Sequence, residues 1–333
     1  MLARWKSGAW IHGLFRLLMI VSLSTLTCAQ IVQYCDQHGI QGIQAAIDEA
    51  ISLAQNAVLS YAQPSVRVQA LLYALIKNPN FYLPAVGNLQ RVANYLSAPP
   101  RISIYCGDDF IAQGPDGQWY ESSDPNNPTL LVGGFIPCSG SASRGYVLRS
   151  QTAPLIILCP FGLTFRMQIG EISRHVPQIN VPLDNAVGVS ATILHEFLHI
   201  ANPNVRDQSH VPTPEQVAKY GPAPNEEYAA YGWASCVRLA LTRGGAVAAN
   251  NADTLMLLAV GLYFTNTQFA YGVGTLTSDA LLLPQQPNWQ MVAVTNFPSL
   301  FHGNRQRKRF RGRPKDLDLL NANVYTIGEK SSG

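Results

Sequence analysis

Apolar residues recur at helical spacing over three stretches near the amino end of the chain. From Ile40 to Ser60, the residues Ile43, Ala46, Ile47, Ala50, Ile51 and Ala54 fall on one face. Val66 to Ile76 and Leu83 to Leu96 keep the same period, divided by the turn-forming run Lys77-Asn78-Pro79-Asn80. The period then shortens to two. Arg101 to Cys106 alternates as a strand does, and Leu130 to Ile136, Gly145 to Leu148 and Leu155 to Cys159 are short strand-like runs among turns rich in Gly, Pro, Ser and Asp. Helical spacing returns over Ala186 to Ala201, Glu226 to Leu241 and Ala252 to Gln268. Helices, then a small sheet, then helices predict an α+β domain, mainly helical. No internal repeat interrupts this order.

The two ends depart from the pattern. Arg4, Lys6 and Arg16 precede a short apolar run, Leu17 to Leu26, and Thr27-Cys28-Ala29 supplies small residues before Gln30. This is the layout of a secretory signal, so residues 1–29 are expected to be removed and the chain to be secreted, with no stable membrane insertion. Residues 30–300 then form the folded domain. Residues 301–333 are expected to be a solvated, disordered basic tail in which Arg305, Arg307, Lys308, Arg309, Arg311, Arg313 and Lys315 crowd together, a dibasic processing site at Lys308-Arg309 being the alternative reading. The formal charge of +3 comes from these ends, since Gln30 to Leu300 carries 12 Lys plus Arg against 17 Asp plus Glu, a net of −5. An acidic folded part argues against nucleic acid as a partner.

Six cysteines are present, and Cys28 leaves with the signal. An odd number remains, so at most two bridges form. The simplest pairing is Cys35–Cys106 with Cys138–Cys159, leaving Cys236 as a buried thiol in a helix-like stretch. None of the spacings is C-x-x-C, which disfavours a cysteine zinc site.

The chemistry concentrates in His195-Glu196-Phe197-Leu198-His199, inside an apolar segment free of Gly and Pro. Residues four apart share a helix face, so both imidazoles reach one metal ion, and Glu196 lies where its carboxylate meets a water on that ion. A catalytic zinc needs a third protein ligand and an open position. Downstream, Asn225-Glu226-Glu227-Tyr228-Ala229-Ala230-Tyr231-Gly232 and Asn251-Ala252-Asp253 stand out.

With these segments the chain resembles the deuterolysin-like fungal metalloendopeptidases, the aspzincin group. In that family His-Glu-x-x-His is followed by Gly-Thr-x-Asp-x-x-Tyr-Gly and then by a helix opening Asn-Ala-Asp. Here the matches are His195 to His199, Tyr231-Gly232 and Asn251-Ala252-Asp253, with Leu158-Cys159-Pro160 ending the strand before the metal helix. The resemblance implies a zincin-like fold, with the metal helix behind the sheet, and one Zn2+ per chain. The family's ligand Asp would fall three residues before Tyr231, where Tyr228 stands. Glu227 is therefore the expected third ligand, with Glu226 next and Asp207 and His210 as further candidates. Glu226 and Glu227 also suit a plain first-turn role at a helix N-terminus.

The expected activity is a secreted zinc endopeptidase acting on protein or peptide substrates. Glu196 is the general base for water attack on the peptide carbonyl, and Tyr231 donates to the oxyanion. Asp253 is a candidate to orient a zinc histidine through its second ring nitrogen, and equally suits an N-terminal helix position. The alternative is a catalytically decayed secreted binding or effector protein on the same fold.

Overall fold

A computed structural model describes residues 31–276, apart from 36–39, 64, 96–100, 123–127, 133–137, 139–142, 151–152, 172–174, 213, 215–216, 219–220 and 222–226. The expected signal segment and the basic tail, with its dibasic pair, lie outside the described residues.

Three helices open the domain: α1 (Ile43–Ala62), α2 (Val66–Ile76) and α3 (Tyr82–Tyr95). In α1 the buried positions Ile43, Ala46, Ile47, Ala50, Leu53, Ala54 and Ala57 form a single stripe, and its alanines let neighbouring helices approach closely. Ser65 caps α2 by accepting from the Val68 amide, and Asn78 with Pro79 turns the chain into α3.

The sheet is larger than the four strands legible in the sequence. Seven strands are present: β1 (Ile31–Gln33), β2 (Ile102–Cys106), β3 (Ile111–Gln113), β4 (Trp119–Glu121), β5 (Thr129–Val132), β6 (Gly145–Ser150) and β7 (Pro154–Leu158). They are ordered β1-β2-β7-β6-β5-β4-β3. The first three run parallel, and the remaining neighbours are antiparallel. A mixed sheet with flanking helices agrees with the α+β expectation at the level of class. On one face Ile102, Ile104, Ile156 and Leu158 enter the main core with the helices. Tyr105, Leu155 and Ile157 turn to the other face, where they pack with Ile111, Leu131 and Leu148.

Among the helices that follow, three are long: α4 (Val189–Ala201), α5 (Gly232–Arg243) and α6 (Ala252–Tyr263). Helix α4 is central, packed against α1, α3 and α6 and against strands β6 and β7. The approach to the sheet is close at Gly145, where an added Cβ would lie 3.2 Å from the Thr192 side chain and 2.9 Å from the Ile157 carbonyl. Only glycine leaves room there.

Disulfides join Cys35 to Cys106 and Cys138 to Cys159, while Cys236 is free and buried, as the simplest pairing anticipated. No helix among the described residues is long and apolar enough to cross a membrane.

Candidate metal centre

Helix α4 carries His195 and His199 one turn apart on a segment that is buried from Val189 to Leu198. Their Nε2 atoms lie 3.2 Å from each other. Each ring is held from behind at its other nitrogen. His199 Nδ1 lies 3.0 Å from the Val205 carbonyl, an acceptor only, so Nδ1 carries the proton. His195 Nδ1 faces the Asp253 carboxylate at 3.3 Å. Both contacts select the tautomer in which Nε2 offers a bare lone pair.

The third member comes from the segment after α4. Asn202 ends the helix, and Pro203 cannot continue it. The chain turns back along the start of α6, where the Arg206 amide donates to the Asn250 carbonyl and the Ala252 amide donates to Arg206. This delivers Asp207 Oδ1 to 3.1 Å from His195 Nε2 and 3.4 Å from His199 Nε2. Oδ1 is buried and makes no hydrogen bond of acceptable geometry. Oδ2 accepts from the Tyr231 hydroxyl at 2.7 Å. His195, His199 and Asp207 are the one group of three among the described residues whose donor atoms converge as a metal ion requires. A buried carboxylate oxygen within ion-pair distance of two imidazole nitrogens is a donor set that could hold a metal ion.

In the metal-free chain the same contacts favour a proton on the rings. Burial alone would lower the His195 pKa, but the Asp207 carboxylate outweighs it and holds the imidazole up at about 10. His199 is raised as well, against its burial, by the Asp207 carboxylate 3.4 Å away. Asp207 is held well below the ordinary carboxylate range, because the two imidazoles overcome the opposing effect of burial. Glu196 is 2% exposed, and its charge acts on both rings.

Several expected residues are thus brought together, and one is not. His195, Glu196, His199 and Tyr231 share the site. Asp253 serves twice, facing His195 with Oδ1 and accepting from the Gly232 amide with Oδ2. Glu227, expected as the third ligand, is instead paired with Arg243 of α5 at 3.3 Å and is about two-fifths exposed. It precedes a two-residue strand, β9 (Tyr228–Ala229), which pairs with β8 (Ser209–His210) and leaves Glu227 beside that arginine. Glu226 lies outside the described residues. His210 is buried in β8 with Nδ1 on the Val211 carbonyl, and it takes no part in the group. His175 is an exposed residue bonded to Thr265, while His38 and His302 fall outside the described residues.

Asp207 was the weaker candidate in sequence because it stands 24 residues before Tyr231. The β8–β9 pair closes the intervening excursion and sets acid and tyrosine side by side. The usable signal was local: an acid shortly beyond a proline-terminated metal helix. Comparison of the chain with protein-family models, with curated proteins and with solved structures yields no match.

Proposed function

We propose that the chain is a secreted zinc endopeptidase of the deuterolysin-like kind, with His195, His199 and Asp207 as ligands and Glu196 as general base. The observation that carries this reading is the convergence of three donor atoms beside a buried glutamate on the same helix. A tetrahedral zinc with bonds of about 2.0–2.1 Å has its donors about 3.3–3.4 Å apart. The three edges here measure 3.1, 3.2 and 3.4 Å. Two nitrogens and one carboxylate oxygen match the preference of zinc for borderline donors, whereas calcium and magnesium favour all-oxygen sets. Three protein ligands also leave a position open, which separates catalytic from structural zinc.

When bound, the ion supplies Lewis-acid polarisation and a water acidified to a pKa of about 7. The chain's own groups do the rest. Glu196 takes the proton of the attacking water on its carboxylate while the oxygen bonds to the peptide carbon, then passes that proton to the amine nitrogen as the C–N bond breaks. Tyr231 spends its one O–H on Asp207 Oδ2 and so holds the ligand acid in place, and donating to the oxyanion would require it to release that bond. Asp253 fixes the His195 ring. Two disulfides fit an oxidising compartment and support the secretory reading of the amino end.

Substitution Glu196→Gln tests the assignment. Zinc content should remain near one per chain, while chelator-sensitive casein hydrolysis falls by about 10²–10⁴-fold. Hydrolysis at the wild-type rate would remove Glu196 from the mechanism. A wild type that binds zinc tightly yet cleaves neither casein nor a peptide library would favour a binding protein instead.

A further inference from the structure

The excursion between Asp207 and Tyr231 is clasped at both ends by one side chain. Asn251, at the start of α6, is 1% exposed. Its Oδ1 accepts from the Gln208 amide at 3.0 Å, and its Nδ2 donates to the Ala230 carbonyl at 3.2 Å. Nδ2 also reaches Thr254 Oγ1 at 3.0 Å, which fixes the orientation of the amide plane. Gln208 adjoins Asp207, and Ala230 adjoins Tyr231. The residue therefore holds the peptide bearing the third donor and the peptide bearing its hydrogen-bond partner.

Among the described residues Arg243 also bridges the arms, from the Ser209 carbonyl to the Glu227 carboxylate, and the Cys236 thiol also donates to the Ala230 carbonyl. The β8–β9 ladder pairs only Ser209 with Ala229 and His210 with Tyr228. A ladder this short does not persist without support. Beyond it, one backbone bond from Ala230 to the Gln208 carbonyl (2.8 Å) joins the two arms. The other polar groups of these peptides, the Gln208 amide and the Ala230 carbonyl, are the ones Asn251 engages. On the Asp207 side, the backbone bonds of Arg206 to Asn250 and Ala252 dock the segment against the same turn.

We infer that Asn251 is the positioning residue of the centre: by bridging Gln208 and Ala230 it places Asp207 Oδ1 on the two histidines and keeps Tyr231 on Oδ2. This rests on the metal reading above. Asp253, two residues on, holds His195 and the Gly232 amide, so one helix start organises a ligand histidine, the ligand acid and the tyrosine.

The test compares Asn251→Ala, Asn251→Asp and Asn56→Ala in the secreted, signal-free protein. Asn56→Ala removes a similar side-chain amide bond, to the Leu262 carbonyl at the far end of α6, without touching the centre. Zinc affinity is read by competition with a chromophoric chelator, and amide exchange is read on the chelator-stripped protein. Asn251→Ala should weaken zinc by about 10–100-fold, as loss of an outer-shell positioning group does. It should also speed exchange at the Gln208 and Ala230 amides. Asn251→Asp keeps the Oδ1 acceptor for the Gln208 amide but loses the donor to the Ala230 carbonyl, so the Gln208 amide should stay protected while the Ala230 arm loosens and the affinity falls between those of Asn251→Ala and the wild type. Asn56→Ala should lower the melting temperature and leave zinc affinity unchanged.

Equal affinity loss in Asn56→Ala and Asn251→Ala would reduce the effect to general destabilisation and overturn the proposal. Wild-type affinity in Asn251→Ala would also overturn it while leaving the metal reading intact. If the wild type itself bound no zinc, the metal reading would fail and the positioning role with it.

Discussion

Two imidazoles whose Nε2 atoms sit 3.2 Å apart, each with Nδ1 committed to an acceptor, present lone pair to lone pair. A proton or a cation between them relieves this, and Asp207 is placed to accompany either one. The sign of the pH dependence follows. The folded His195 pKa is raised to about 10 from an ordinary 6.5. Its protonated pairing with Asp207 therefore contributes stability fully below pH 6.5, and that contribution is lost as pH rises toward 10. Zinc must displace this proton, so zinc affinity should rise with pH between 6 and 8, by about tenfold per unit for each proton released. A chelator-competition titration checks it, and a flat profile would mean that the rings do not exchange a proton for the metal. At this scale the sequence was most legible where spacing is rigid. His195, Glu196 and His199 are set by helix geometry alone, and the role of Asp253 follows from its place at a helix start. The convergence of Asp207 on the two histidines was not legible, because its neighbour Tyr231 is reached through space and a fixed-spacing motif pointed to Glu227 instead.

At the scale of elements, the β8–β9 excursion is the part the periodicity could not announce. Two-residue strands carry no readable alternation, and the same holds for the three-residue strands β1, β3 and β4. The long helices and the interior strands β2, β6 and β7 were legible because burial imposes their period over enough residues. The excursion also carries a titratable liability. His210 is fully buried, with its Nε2 lacking a partner, and burial chiefly, with Arg238 adding, lowers its pKa from 6.5 while Glu227 acts in the opposite sense. A depressed histidine is neutral in the fold and charged in the unfolded chain at acid pH, so its share of stability is lost as pH falls below about 6.5. Thermal melts at pH 7 and pH 5 should show a larger drop for the wild type than for His210→Gln. Equal drops would mean that His210 accepts its proton in the folded state.

For the whole molecule, one buried helix joins the two halves: α4 packs against α1 on one side and against the sheet on the other, so the centre inherits the rigidity of the main core. The disulfides add to this, and Cys35 and Cys106 belong to that core themselves. Cys35–Cys106 spans 71 residues and links the ends of neighbouring parallel strands. Removing it by a double substitution to Ala should cost about 2–5 kcal/mol, read by chemical denaturation. An unchanged midpoint would show that the strands hold without the bridge. The simplest pairing of the cysteines is the one present, whereas the seven-strand extent of the sheet was hidden by the shortness of β1, β3 and β4, of which only β1 has a partner far away in sequence.

The most direct measurement is zinc affinity in Asp207→Ala against Glu227→Ala, each beside the wild type. A third ligand contributed by Asp207 predicts that Asp207→Ala loses zinc by at least about 100-fold, and casein hydrolysis with it, while Glu227→Ala loses only its surface pair with Arg243 and binds as the wild type does. Retention of wild-type affinity in Asp207→Ala, or its loss in Glu227→Ala, would contradict the centre described here.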